Sequence, residues 1–209
     1  IGAIQIAVAD VTGNLVYSAV PLKAPLNISD SEHFKVHINN SDLGIFIGKP
    51  RKTDATGTWA FFLSRRINNK DGSSGGIVSI GLDPMFLANI FGNLKLDKGR
   101  TAIIVGTDHI VRLRLSETNK VLGDDISYSP VFEAASKNLS GNYEFVAPQS
   151  NRPRMASYRV MPDYPLIVIS SLDKSEALAG FEERSLDYMW SGVVISLMIL
   201  LVTAVLIRD

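Results

Sequence analysis

The chain has 209 residues, 46% of them hydrophobic, which suffices to fill one large domain or two small ones. Its 21 Lys plus Arg balance 21 Asp plus Glu, and no Lys/Arg block supplies the positive footprint of a nucleic-acid binder, which argues against nucleic acid as a partner. Cysteine is absent, which excludes disulfide frameworks, thiolate metal sites and thiol nucleophiles together.

Ile1 falls inside an apolar run, so the sequence is expected to be a piece of a longer protein, with a leader or first anchor upstream. Ile4–Ala9 and Leu15–Val20 are β-rich runs separated by the turn residues Asp10, Gly13 and Asn14, and predict a hairpin. A short helix over Asp30–Asn40 follows, capped by Asp30 or Ser31, with Glu32 in its first turn. Leu43–Gly48, Thr58–Ile67 and Gly76–Leu82 read as strands, the last two joined by the polar run 68–75. Asp83 then caps, and Pro84 opens, a helix to about Asn93.

Beyond a linker at Gly92–Gly99 the order returns. Thr101–Gly106 and Ile110–Leu115 form a second hairpin, and Ser129–Asn138 a helix. Strands at Gly141–Val146, Arg154–Val160 and Leu166–Leu172 lead to a helix capped by Asp173. Hairpin, helix, three strands and helix thus recur at a shift of about 90 residues. This predicts an α+β fold of two similar modules in tandem, residues 1–93 and 94–173.

Residues 189–207, MWSGVVISLMILLVTAVLI, carry no charge and approach the ~20 apolar residues with which a helix crosses a bilayer. Tyr188 and Trp190 suit one interface and Arg208 the other, which predicts a transmembrane helix with Arg208 on the cytoplasmic side and 1–188 outside the cytoplasm. The stretch Asp173–Asp187 is helix-favouring, and no breaker except Gly192 separates it from the membrane segment, so one continuous helix from the last strand into the bilayer is expected.

Period two along the 59–67 strand puts Trp59, Phe61, Leu63 and Arg65 on one face and Ala60, Phe62, Ser64 and Arg66 on the other. One Arg therefore shares a face with apolar side chains, where its planar fork can hold the carboxylate of a small ligand. Arg65 and Arg66 are equal candidates, and pairing with Asp54 or Asp71 is the competing role. His33, Phe34 and His37 lie on the predicted helix and suit a pocket wall, while HxxxH without a third ligand argues against a metal. Trp59, Phe61 and Phe62 are by default core, as aromatic residues in a strand, and are candidates for an aromatic wall of the pocket. Tyr143, Arg154, Tyr158 and Arg159 are the candidates in the second module. No GxSxG, HExxH, Walker or GxGxxG motif occurs, so no catalytic residue is assigned and no cofactor is expected.

Four segments carry a family resemblance: SDSEHFKVHINN, LGIFIGKP, GTWAFFLSRRINNKDGSSGGIVSIGLDP and GRTAIIVGTDHIVRLR. Together the chain resembles the double Cache domains, tandem PAS-like sensors, most of all those that precede diguanylate cyclase domains. LSRRI and LGIFIGKP are the most distinctive matches. The resemblance implies a sensor held in the inner membrane by one helix before it and one after, with 1–188 in the periplasm or outside the cell, homodimeric in the intact receptor. It implies a small metabolite in the membrane-distal module and an output domain beyond Asp209. That output would be a diguanylate cyclase, with a histidine kinase or chemoreceptor as the alternative.

Amino-acid-binding members of the family resemble one another in an Arg-x-Trp-Tyr segment and a distant Asp. Here Ser31, His33 and Phe34 stand in that segment and its Arg is missing, while Asp83 matches the distant Asp and also suffices as a helix cap. A carboxylate or other small polar metabolite is the expected ligand, with His33, Phe34, His37, Trp59, Phe62, Ser64, Asp83 and Arg65 or Arg66 around it. Binding is expected to shift the sheet against the helices and to reach the Asp173 helix through the second module. A membrane-tethered hydrolase and a protein-interaction module are the rival readings.

Overall fold

Alternating burial along the longer strands, as in β6 (Ser74–Leu82), leaves each sheet one face to cover with a helix. The computed structural model describes residues 3–22, 24–40, 43–53, 57–92, 96, 98–116, 120–148 and 150–208, with side chains for all of these but 91, 92, 120, 179–187, 201, 202 and 204–208.

The first half runs β1 (Ala3–Ala9), β2 (Leu15–Ser18), α1 (Glu32–Asn39), β3 (Phe46–Ile47), β4 (Arg51–Lys52), β5 (Trp59–Asn68), β6 and α2 (Pro84–Gly92). The second runs β7 (Arg100–Gly106), β8 (Val111–Ser116), β9 (Lys120–Val121), α3 (Val131–Lys137), β10 (Ser140–Ala147), β11 (Arg152–Val160), β12 (Leu166–Asp173) and α4 (Lys174–Arg208). Every pairing is antiparallel. The first sheet is ordered β2-β1-β6-β5-β3, with β4 also on β5, and the second β10-β11-β12-β7-β8-β9. Without the two-residue strands β4 and β9, the two orders match strand for strand, which is consistent with tandem PAS-like units.

The hairpin turn of the first half is built by Asp10, whose Oδ1 accepts from the Thr12 and Asn14 amides at 2.8 and 3.0 Å. α1 is shorter than predicted. Ser31 occupies its N-cap, but its hydroxyl donates back to the Ile28 carbonyl at 2.6 Å and caps nothing. The strand predicted over Leu43–Gly48 is reduced to β3, and β4 and β9 go unpredicted because two residues carry no alternation.

Three clusters make the core. Ala9, Ile28, Phe34 and Ile77 fill the first half, and Val105, Val111, Ile126, Val131, Tyr158, Ile167 and Ile169 lie among those filling the second. The third joins the halves: α2 packs Ala88 against Leu113 and Leu115 of β8. Arg112 adds a polar latch. Its buried guanidinium takes both Asp108 carboxylate oxygens, at 3.0 and 2.9 Å, and donates to the Ile47 carbonyl of β3 at 3.0 Å.

α4 leaves β12 without a break and runs 35 residues. Every residue from Tyr188 to Leu200 is exposed. Among the described residues no helix is long and apolar enough to cross a membrane. Within the predicted span 189–207, the side chains of 201, 202 and 204–207 lie outside the described set.

Candidate functional site

α1 lies over the β5 face that carries Ala60, Phe62, Ser64 and Arg66. The first three are buried and Arg66 is half-buried, whereas Trp59 and Arg65 are exposed and Phe61 is buried on the reverse face. The structure thus separates the two arginines and places Arg66 with the apolar side chains. Its Nη1 and Nη2 donate to the carbonyls of His37 and Gly72 at 3.4 and 3.3 Å, tying the end of α1 to the β5–β6 turn. Asp71 serves its own turn through Ser73, at 3.0 Å to the amide and 2.6 Å to the hydroxyl, and Asp54 lies outside the described residues.

The other candidates are packed together. His33 stacks on Phe62 with ring centroids 4.7 Å apart and planes 9° from parallel, and Arg51 sits 4.9 Å from the same ring centroid. Phe34 belongs to the core. His37 is fully buried, its Nε2 3.0 Å from the Ser64 hydroxyl. Ser64 spends its one proton on the His33 carbonyl at 3.0 Å, so Nε2 must donate and Nδ1 is left bare, with no partner among the described residues. Burial pushes the His37 pKa down; the Ser64 contact opposes this and the Arg66 charge adds to it, so the ring is held neutral. Asp83 Oδ1 accepts from the Met85 amide at 2.8 Å, the capping role. The cavity bordered by Gln5, Leu26, Ile28, His33, Arg51 and Phe62 measures about 20 Å³, room for about one water.

The second half differs. A cavity of about 500 Å³ opens between the sheet and the Ile126–Pro130 segment leading into α3. Strand parity builds it. Leu113 and Leu115 turn toward α2, so Arg114 and Ser116 point the other way and line the cavity, with Thr101 and Ile103 of β7, Tyr143 and Phe145 of β10, Arg154 of β11, and Ile169 and Ser171 of β12. α3, seven residues long, buries Val131 and packs Phe132, Ala134 and Ala135 in part against the core, and the segment before it, not the helix itself, walls the cavity.

Arg114 pairs with Asp124 at 3.1 Å. Arg154 pairs with Asp173 at 2.9 Å, donates to the Gly99 carbonyl at 2.7 Å and the Thr101 hydroxyl at 2.9 Å, and keeps a buried Nε without a partner among the described residues. Burial raises the Tyr143 pKa, against a hydrogen bond with Ser129. Of the second-half candidates, Tyr143 and Arg154 line the cavity; Tyr158 is buried, its hydroxyl 3.3 Å from the Asn138 carbonyl, and Arg159 is exposed. Sequence reasoning missed Arg114, Phe145 and Ile169, although the alternation in VRLRLS separates Arg114 from the leucines.

No family model matches the chain, and no curated protein does. Solved structures match. The extracellular domain of rpHK1S-Z16, which carries a histidine-kinase designation, superposes at a TM-score of 0.74 with 25% identity, over 84% of this chain and 72% of its own. The ligand-binding domain of the Pseudomonas aeruginosa amino acid chemoreceptor PctB, solved with L-Arg, gives 0.65 at 15% identity over 91% and 77%. That of the Pseudomonas fluorescens chemoreceptor CtaA, solved with L-leucine, gives 0.56 at 17% over 84% and 73%. The fold is that of extracellular sensor domains. All three neighbours are receptor input domains and none is catalytic.

Proposed function

We propose that this chain is the extracytoplasmic, small-molecule-sensing part of a bacterial transmembrane receptor of the double Cache kind. Residues 1–93 form its membrane-distal module, 94–173 the proximal one, 174–188 a connecting helix and 189–207 the membrane span. The observation that carries this reading is α4. It continues directly from the last strand, and its apolar side chains Met189, Val193, Val194, Ile195, Leu197, Met198, Ile199 and Leu200 are exposed all round. A helix apolar on every side is stable only where lipid or protein covers it.

Ligand binding reweights two arrangements of sheet and helices in a homodimeric receptor, and α4 carries the change to a cytoplasmic output domain. Kinship of fold with histidine-kinase and chemoreceptor sensors favours those outputs over a diguanylate cyclase. A carboxylate at the first-half face would meet Arg66 and His37, and it must first part the His33–Phe62 stack because that face is filled.

The test is a melting screen of the full chain in lipid nanodiscs against organic acids, amino acids, amines and nucleobases. One class should raise Tm and be recovered intact; saturation at about 100 times Kd corresponds to about 2.7 kcal/mol. Chemical turnover of the compound, absence of any shift, or a chain that stays monodisperse without lipid or detergent overturns the reading.

A further inference from the structure

The resemblance puts a ligand in the first half, yet the roomy cavity lies in the second. We propose that this cavity is a binding site for a small amphipathic monocarboxylate, an aryl or alkyl acid whose carboxylate rests on Arg154. The inference deepens the sensor reading and rests on it only for the signalling consequence.

Size comes first. About 500 Å³ falls within the roughly 300–1,000 Å³ of small-molecule sites, and Ile103, Ile126, Tyr143, Phe145 and Ile169 give it an apolar, partly aromatic wall. Charge comes second. The lining carries two guanidiniums, Arg114 and Arg154, and one carboxylate, Asp124; the Asp173 that pairs with Arg154 is not among the lining residues, so the cationic partner of that pair is the one that faces the cavity. An anion matches that wall. Third is the donor without an acceptor: the buried Arg154 Nε. That Nε is closed to solvent while Arg154 holds Asp173, so a ligand carboxylate oxygen reaches it as that pair opens and then meets it with a charge-assisted bond.

Arg154 also sits where occupancy can be read. It faces Asp173 across the β11–β12 register, and Asp173 is the residue from which α4 departs. The same guanidinium holds the Gly99 carbonyl on the segment entering the second half. A bound carboxylate shares the Arg154 charge with Asp173, loosens their 2.9 Å ion pair and so releases the root of α4.

The test is calorimetric titration of the full chain in detergent with phenylacetate, hexanoate and phenylacetamide, the last a neutral isostere, with hydrogen exchange on the same samples. Both acids should bind, the amide at least ~10-fold more weakly, and protection should fall on β8, β10 and β11. Arg154→Gln should weaken acid binding by ~10-fold or more, and Ile103→Trp, which fills the cavity without touching a charge, should do the same if Arg154→Gln fails to fold. Equal binding of acid and amide, or no acid binding at all, overturns the proposal. Protection on α1 and β5 overturns this site and leaves the sensor reading standing. Tight acid binding by a chain that needs no lipid supports the site and overturns the receptor reading.

Discussion

The two halves of the chain thread their strands in one order, but α1 buries His33, Phe34 and His37 against its sheet where α3 buries Val131 and packs Phe132, Ala134 and Ala135 only in part. Among the described residues, the cavity beside His33 and Phe62 in the first half measures about 20 Å³ and that beside the Ile126–Pro130 segment in the second about 500 Å³. Topology sets where a cavity can lie, between a sheet and the segment that covers it. Side-chain volume on that segment decides whether it is there.

Three substitutions break or sharpen this contrast. The largest effect is expected where the halves meet. Arg112→Met leaves the Ile47 and Ile110 carbonyls without their donor and the part-exposed Asp108 carboxylate without its partner, about 3–5 kcal/mol in all at ~1–3 kcal/mol for each buried group left unmet. Urea unfolding should then resolve two transitions where the parent shows one. Gly76→Ala strikes the first half alone. Gly76 holds φ at +102°, and a Cβ there would collide with the Ala9 carbonyl oxygen, so about 2–4 kcal/mol is expected. Hydrogen exchange should rise across β1 and β6 while β10–β12 keep their protection.

The smallest effect is that of pH on His37. Its folded pKa lies below the ordinary 6.5, so above pH 6.5 neither state is protonated. As pH falls below that value the unfolded chain alone takes up a proton. Stability then drops by at most ~1.4 kcal/mol per unit until the folded pKa is reached, and is constant beyond it. His37→Gln should flatten the slope of melting midpoint against pH in this window. An unchanged slope would mean that His37 titrates alike in the folded and unfolded chain and is not desolvated under α1.

The fold was legible because period-two strands and Asp-initiated helices repeat along the chain, and Asp83 and Asp173 both stand where a last strand gives way to a helix. Edge pairs such as Arg51–Lys52 were not legible, since two residues show no period. In the candidate site, parity put Arg65 and Arg66 on opposite faces, yet only the packing of α1 told which face is covered. The cavity was harder still. A void arises from side chains that are missing, and VFEAASK reads as an ordinary short helix until its neighbours are in place. Tyr143 and Arg154 stood among the second-half candidates, but nothing local in sequence distinguished them from Tyr158, which is core, or Arg159, which is exposed.

The unbroken α4 has a mechanical consequence. At about 1.5 Å per residue its 35 residues make a rod of ~52 Å. A tilt of about 5° at Asp173, small enough to follow from one lengthened ion pair, swings the far end by ~4.5 Å. In the receptor proposed above, the joint at β12 would work as a fulcrum with a long arm, and stiffness along 174–208, more than any contact at its tip, would fix how faithfully displacement at the sheet is magnified.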